Sequence, residues 1–300
     1  MPFYLKKGDL VAAECDAIVN ASNVNLKMVE GVGRAIFHKA GDQELARACK
    51  TIGRCNVGKA VLTPSFNMTN CKGIIHAVGP IYINGKHNEE PLLRSAYVSS
   101  LNICLEQGYK SVAFPLLSGE FNYPLSEAYD IAQDECLKFL KQHEEFTIYL
   151  IIFKNFPELI EDSIHTRLKN FIIDNFDAKI QDDIKTSNLE FVSLVNEFMK
   201  VKNIDKDRLI QKSNILPSLL EKIENDSSYI PSKNFVLAVG VGLELNEKEI
   251  LKLFNSVGYK SLTNSVISLV VLFFIKEKNY DVFTINRALF SYETKPLGLE

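Results

Sequence analysis

No stretch of this 300-residue chain is apolar for long enough to cross a bilayer or to act as an export signal. The longest apolar run, Val266–Ile275, is broken only by Ser268. It is far shorter than the roughly 20 residues of a spanning helix and reads as a buried helix. Residues 1–9 hold no hydrophobic centre of signal-peptide length, so export is not expected and a cytoplasmic setting is. An excess of either charge is also missing. The formal net charge is −3, and residues 189–300 carry as many basic as acidic side chains, so neither half has the basic character of a polyanion binder. There is no CxxC pair and no histidine at ligand spacing from a cysteine. The six cysteines (Cys15, Cys49, Cys55, Cys71, Cys104 and Cys136) therefore read as unpaired, buried thiols rather than a metal set, and neither a metal nor a cofactor is expected.

What the chain does have is ordinary globular composition, 46% hydrophobic and 24% charged, over a length that favours two domains. In the first half, strand-like runs at Ala17–Ala21, Ala60–Pro64, Gly73–Val78, Ser111–Pro115 and Thr147–Phe153 alternate with helical patterns. The helical patterns run from Val32 to about Ala40, from Leu92 to Gly108 and from Ser126 to about Gln142. Gly41 fits the residue just past a helix end. This alternation predicts an α/β fold with a parallel or mixed sheet covered on both faces, and ligands then bind in loops beyond the carboxyl ends of strands. The two loops that fit are Asn20–Arg34 and Leu116–Pro124. A further helix over Glu158–Phe176 is expected to close this domain (residues 1–176). Residues 177–188 have linker composition, and residues 189–300 read as closely spaced amphipathic helices near 189–202, 205–213, 216–225, 232–243, 246–258, 262–278 and 281–291. Asp205, Asn246 and Asp281 are placed as N-caps.

Gly8 through Leu10, Asp16 through Asn23, Ile74 through Pro80, Ala113 through Ser118 and Phe121 through Pro124 follow one another in an order and spacing that resembles the macrodomain family over about residues 2–175. The resemblance implies a three-layer α/β/α sandwich that binds ADP-ribose, in a family where some members also remove ADP-ribose from protein or nucleic acid. By that resemblance Asp9, with Leu10 beside it, accepts a hydrogen bond from the adenine amine, and Phe153 stacks on the base. Asn23 holds the distal ribose, Phe121 packs on it, and the pyrophosphate lies on the backbone of Gly31, Val32, Ser118, Gly119, Glu120 and Asn122. Taken alone, Asp9 reads equally well as a turn cap, and His76 reads as a core histidine.

The sequence departs from the family pattern in the phosphate loops. Val29 and Glu30 stand where glycines are usual, and Glu120 and Asn122 alter the second loop. Glycine lets a backbone approach an anion; valine does not. Glu30 and Glu120 either face the ligand and repel it or point out to solvent. Hydrolase members often carry an aspartate and a histidine at positions occupied here by Gly33 and Phe37, neither of which can act as a general base. If the chain is an enzyme, Asn23 and Glu30 are the catalytic candidates. Three functions stay open: binding of ADP-ribose or a related nucleotide, hydrolytic removal of ADP-ribose, and an interaction module that has lost its ligand.

The second half resembles the lambda-repressor-like helix-turn-helix modules appended to macrodomains in some bacterial proteins, with the turn at Asn214 and Ile215. Its would-be recognition helix, Leu216–Asp226, has one lysine against three acids. A protein partner is expected there rather than DNA.

Overall fold

The computed structural model describes residues 3–119, 122–153 and 160–298. The chain divides into two compact units, Pro2–Phe156 and Pro157–Glu300.

The first unit is built on a six-stranded mixed sheet. Its strands are β1 (Phe3–Lys7), β2 (Ala17–Ala21), β3 (Ala60–Pro64), β4 (Gly73–Ala77), β5 (Ser111–Phe114) and β6 (Thr147–Ile152), in the order β1-β6-β5-β2-β4-β3. Every pairing is parallel except that of β3 with β4. The helices are α1 (Val32–Ala40), α2 (Asp42–Ile52), α3 (Glu89–Glu106) and α4 (Leu125–Leu140). β2 and β4 are buried on both faces, as near-continuous apolar runs in a covered parallel sheet should be. Alternation then sorts the faces. Ile18, Ile74 and Ala113 share a core with Ile36 and Phe37 of α1 and Leu45 of α2. Next in sequence to Ala113, Phe114 turns the other way and meets Tyr97 of α3, ring centroids 5.1 Å apart. All six cysteines are free, five of them buried and Cys15 half-buried.

β2 and β4 place Asn20 opposite His76 in parallel register. Asn20 Nδ2 lies 3.1 Å from His76 Nδ1, and His76 Nε2 lies 2.9 Å from Thr63 Oγ1. An amide can only donate from Nδ2, so Nδ1 accepts, Nε2 carries the proton and the imidazole is neutral. Burial alone pushes its pKa down to about 4. His76 is thus the core histidine that its apolar strand suggests.

The second unit is all-helical. α5 (Asp162–Asn175) packs on α11 (Val266–Lys276), and Leu168 sits in the same core as Val270 and Phe273. The sequence places this helix at the end of the first domain; its apolar contacts put it in the second. Residues 177–188, expected to be a linker, are fastened to the same unit. Asp183 N donates to Gly258 O at 2.8 Å, Lys185 N to Val257 O at 3.0 Å, and Lys233 Nζ pairs with Asp182 at 2.8 Å. Polar composition there serves backbone pairing and an ion pair while most of the segment still faces solvent.

Seven helices follow, all at the expected places: α6 (Leu189–Lys202), α7 (Lys206–Ser213), α8 (Pro217–Asn225), α9 (Lys233–Gly242), α10 (Glu247–Asn255), α11, and α12 (Val282–Ser291). The side chains of Asp205, Asn246 and Asp281 each accept from first-turn N–H groups, Asn246 within a full capping box with Glu249. The run Val266–Ile275 is indeed a buried helix; among the described residues, no helix is long and apolar enough to cross a membrane.

Beyond α12 the chain turns back, and Leu297 is fully buried. Asn286 Oδ1 accepts from Leu297 N at 2.6 Å, and its Nδ2 donates to Leu297 O at 3.2 Å. Asn286→Ala removes the partners of both the N–H and the C=O of buried Leu297, and each orphaned group is costly. Urea unfolding should report a loss of about 2 kcal/mol. An unchanged midpoint would show that the tail is not held by this clamp.

Candidate functional site

β1, β6, β5 and β2 are adjacent and parallel, so their carboxyl ends open on one edge of the sheet. A cleft of about 670 Å³ lies there, within the size range of small-molecule sites. Each strand end contributes: Gly8, Asp9 and Leu10 follow β1, Ala21 ends β2, Pro115 and Leu116 follow β5, and Ile151, Ile152 and Phe153 close β6. Gly31, Val32 and Ala35 come from the start of α1, and Ser118 and Gly119 from the loop before α4.

Asp9 caps a 3-10 turn, its Oδ1 accepting from Val11 N at 3.1 Å, and its carboxylate lies at the cleft. Capping and ligand contact are compatible, because an ionised carboxylate has about four lone-pair sites. Leu10 is buried beneath it. Phe153 is 71% exposed although it is a large aromatic at the end of an inner strand. An aromatic face left bare at a cleft mouth is what a stacking partner needs.

Gly31 is the N-cap of α1 and supplies no side-chain cap, with φ 75° and ψ −128°. The first-turn N–H groups of a nine-residue helix therefore face the cleft end without a side-chain competitor, which is the arrangement that holds anions. Ser118 adopts left-handed φ at 62° and lines the cleft beside Gly119. Its hydroxyl turns away, packing so closely on Gly79 that a Cβ there would collide with it. Tyr97, buried in α3, supports this loop by accepting from Leu117 N at 3.1 Å.

Three expected residues stand elsewhere. Asn23 does not line the cleft. Its Oδ1 accepts from Asn25 N and Lys27 N at 3.0 and 3.2 Å, and its Nδ2 donates to Lys27 O at 3.0 Å, so the loop's own backbone takes up the carboxamide. Glu30 points outward, 82% exposed, and pairs with Arg34 at 3.2 Å. Asn122 is exposed and lies outside the lining. Glu120 and Phe121 lie outside the described residues. The sequence reading did not single out Ala21, Ala35, Pro115, Leu116 or Ile152, although their places at strand ends and on the inner face of α1 were the available signal.

A macro domain family model matches residues 19–132. An uncharacterized protein of Fusobacterium nucleatum is 45% identical over 141 residues, 46% of this chain and 79% of that protein. The O-acetyl-ADP-ribose deacetylase of Citrobacter rodentium is 44% identical over 138 residues, 44% of this chain and 77% of its own length. The chain belongs to the macro domain family. Among solved structures, the Oceanobacillus iheyensis macrodomain with ADP is 29% identical, covers 57% of this chain and 90% of that one, and has a TM-score of 0.49.

In this macro domain two departures from the family pattern, Val29 and Gly33, stand side by side at the mouth of α1. A Cβ placed on Gly33 would lie 3.4 Å from Val29 Cβ and 3.4 Å from Asn20 Oδ1. Val29 thus packs beside residue 33, at van der Waals distance from where a Cβ would stand. Met28 is half-exposed, and neither it nor Val29 lines the macro-domain cleft, so the bulk that replaces glycine leaves the hollow open. Asp9 is the sole carboxylate in the described lining. Gly33 and Phe37, both buried, add no base.

Proposed function

We propose that the macro-domain unit binds ADP-ribose or a closely related NAD-derived nucleotide. One observation carries this reading: a single open cleft brings together the Asp9 carboxylate, the uncapped start of α1 at Gly31 and the exposed ring of Phe153. These suit an exocyclic amine, a pyrophosphate and a purine face respectively. The relation to a deacetylase of O-acetyl-ADP-ribose supports the same ligand class. Calorimetric titration of the full chain with ADP-ribose should give saturable heat. Silence at millimolar ligand would instead leave an interaction module that has lost its nucleotide.

The relatives' names also favour a second reading, hydrolysis of an ADP-ribose ester or of ADP-ribosylated protein or nucleic acid. The described lining supplies no base beyond Asp9, so binding without turnover is the expected result. Release of acetate from O-acetyl-ADP-ribose, or of ADP-ribose from a modified protein, would establish the enzyme.

For the helical unit the proposal is a lambda-repressor-like module that meets a protein in the cytoplasm. Supporting it are α7 and α8, joined through Asn214 and Ile215, and the occupied charges on α8. Lys222 stands over the Tyr229 ring at 3.9 Å, and Glu224 pairs with Lys206. α8 therefore offers little to phosphates. Salt-sensitive retention of duplex DNA by the full chain would contradict this.

A further inference from the structure

The helical unit has a groove of its own, about 690 Å³ in volume and close in size to the macro-domain cleft. It lies between the start of α9, the start of α11 and the chain beyond α12. Tyr229, Ile230, Val266 and Ile267 form its apolar wall. Each is half-buried, packed on the helical core beneath and presenting its remaining surface to the groove. Large apolar side chains gathered on one concave surface mark a place of association.

The polar lining is one-sided in charge. Among the described residues it holds two lysines and no aspartate or glutamate. Lys233 Nζ is committed to Asp182 at 2.8 Å, whereas Lys295 is exposed and supplies the charge that an incoming group meets. The first residues of α9 and α11 frame the same groove, and the partial positive charge of helix starts adds to that of Lys295. The wall is also formed in advance. Asn234 Nδ2 donates to Pro296 O at 2.8 Å and its Oδ1 accepts from Gly298 N at 3.1 Å, which fixes the stretch bearing Lys295 against α9. Asn188 Nδ2 donates to Tyr229 O at 2.8 Å, and Lys222 covers the Tyr229 ring at 3.9 Å. A surface already ordered loses little freedom on binding.

An apolar wall beside an exposed cation suits a polypeptide whose apolar side chains are flanked by carboxylates. A duplex needs several phosphate contacts, and the described lining offers one exposed lysine. We propose that this groove is where the helical unit docks its protein partner, and that the partner enters as an acidic segment anchored by a large apolar side chain. This rests on the reading of the helical unit as a protein-binding module.

Fluorescence anisotropy of the full chain with short labelled probes tests the assignment. The probes are a peptide of leucines set among glutamates, the same peptide with lysine for glutamate, the same with alanine for leucine, and a DNA duplex. The leucine–glutamate peptide should bind saturably, and the lysine and alanine versions should bind about tenfold more weakly. Lys295→Glu and Ile267→Gln should each weaken the leucine–glutamate peptide about tenfold. Thermal unfolding checks that the variants are folded, and Lys295→Glu, on an exposed side chain, carries the test alone if Ile267→Gln is not. Equal binding of the glutamate and lysine peptides would overturn the acidic partner. Wild-type binding by both variants, or no binding of any peptide, would overturn the groove assignment while the protein-binding reading stands. Duplex binding tighter than that of the peptides and lost in Lys295→Glu would overturn that reading as well.

Discussion

Replacing Gly31 with valine is expected to cut ADP-ribose affinity by roughly two decades, about 2.7 kcal/mol. Two effects combine. The backbone at residue 31 sits at φ 75° and ψ −128°, a region that is close to glycine-only, and a non-glycine residue held in such a conformation costs on the order of 1–3 kcal/mol. The new side chain also stands at the cleft end of α1, where an anion must come within hydrogen-bond reach of backbone N–H groups. Calorimetry reads the affinity, and Gly108→Ala serves as the control for strain. Gly108 has φ 67° with open space around its missing Cβ, so its variant should lose stability without losing ligand. Wild-type affinity in Gly31→Val would mean that the phosphates do not rest on α1.

Acid should destabilise the first unit well before its carboxylates titrate. His76 has a folded pKa of about 4, below its ordinary value near 6.5, so between those values the unfolded chain binds a proton that the folded chain refuses. The stability tied to its neutral form is complete above pH 6.5 and drains away as the pH falls toward 4, a loss on the order of 3 kcal/mol. Protonation would place a hydrogen on Nδ1 facing the Nδ2 donor of Asn20, so the existing partners cannot absorb the charge. Amide exchange in β4 between pH 7 and pH 4 reports the effect, and His76→Gln should flatten the dependence. A wild-type slope that survives in the variant would assign the acid sensitivity elsewhere. Glu89 marks the next step. Burial pushes its carboxyl up, but backbone N–H groups of His87, Asn84 and Ile83 outweigh that and hold it at about 2, so its contribution is lost only as the pH falls from 4.5 toward 2.

Strong periodicity and local capping chemistry were legible in the sequence. The short inner strand at Ala17–Ala21, the edge strand at Ala60–Pro64 and the seven helices after residue 188 stand where their patterns place them. β1 escaped notice because five residues ending in two lysines look like a strand only once β6, more than a hundred residues later, lies beside them. α2 escaped because Leu45 and Cys49 alone are buried in it, too narrow a stripe to give a period. The site divides in the same way. Asp9, Gly31 and Phe153 follow from the family pattern and lie in the cleft. Asn23 bears the right residue type at the right place in the motif, yet its Oδ1 and one Nδ2 hydrogen are engaged by the Asn25–Lys27 backbone, a competition between local turn and ligand that a motif does not encode. The outward pairing of Glu30 depends on an arginine one turn away, and the closeness of Val29 to Gly33 depends on how the loop enters α1.

The clamped tail has a consequence for how the chain matures on the ribosome. β1 needs only β6, so the sheet can close once residue 152 has emerged. The helical unit has to wait longer. Gly298 N donates to Asn234 Oδ1 at 3.1 Å, and Asn286 grips Leu297 from both sides. Its final bonds therefore cannot form until residue 298 is free, and a nascent chain would carry a finished macro-domain cleft while its helices still lacked their last plug.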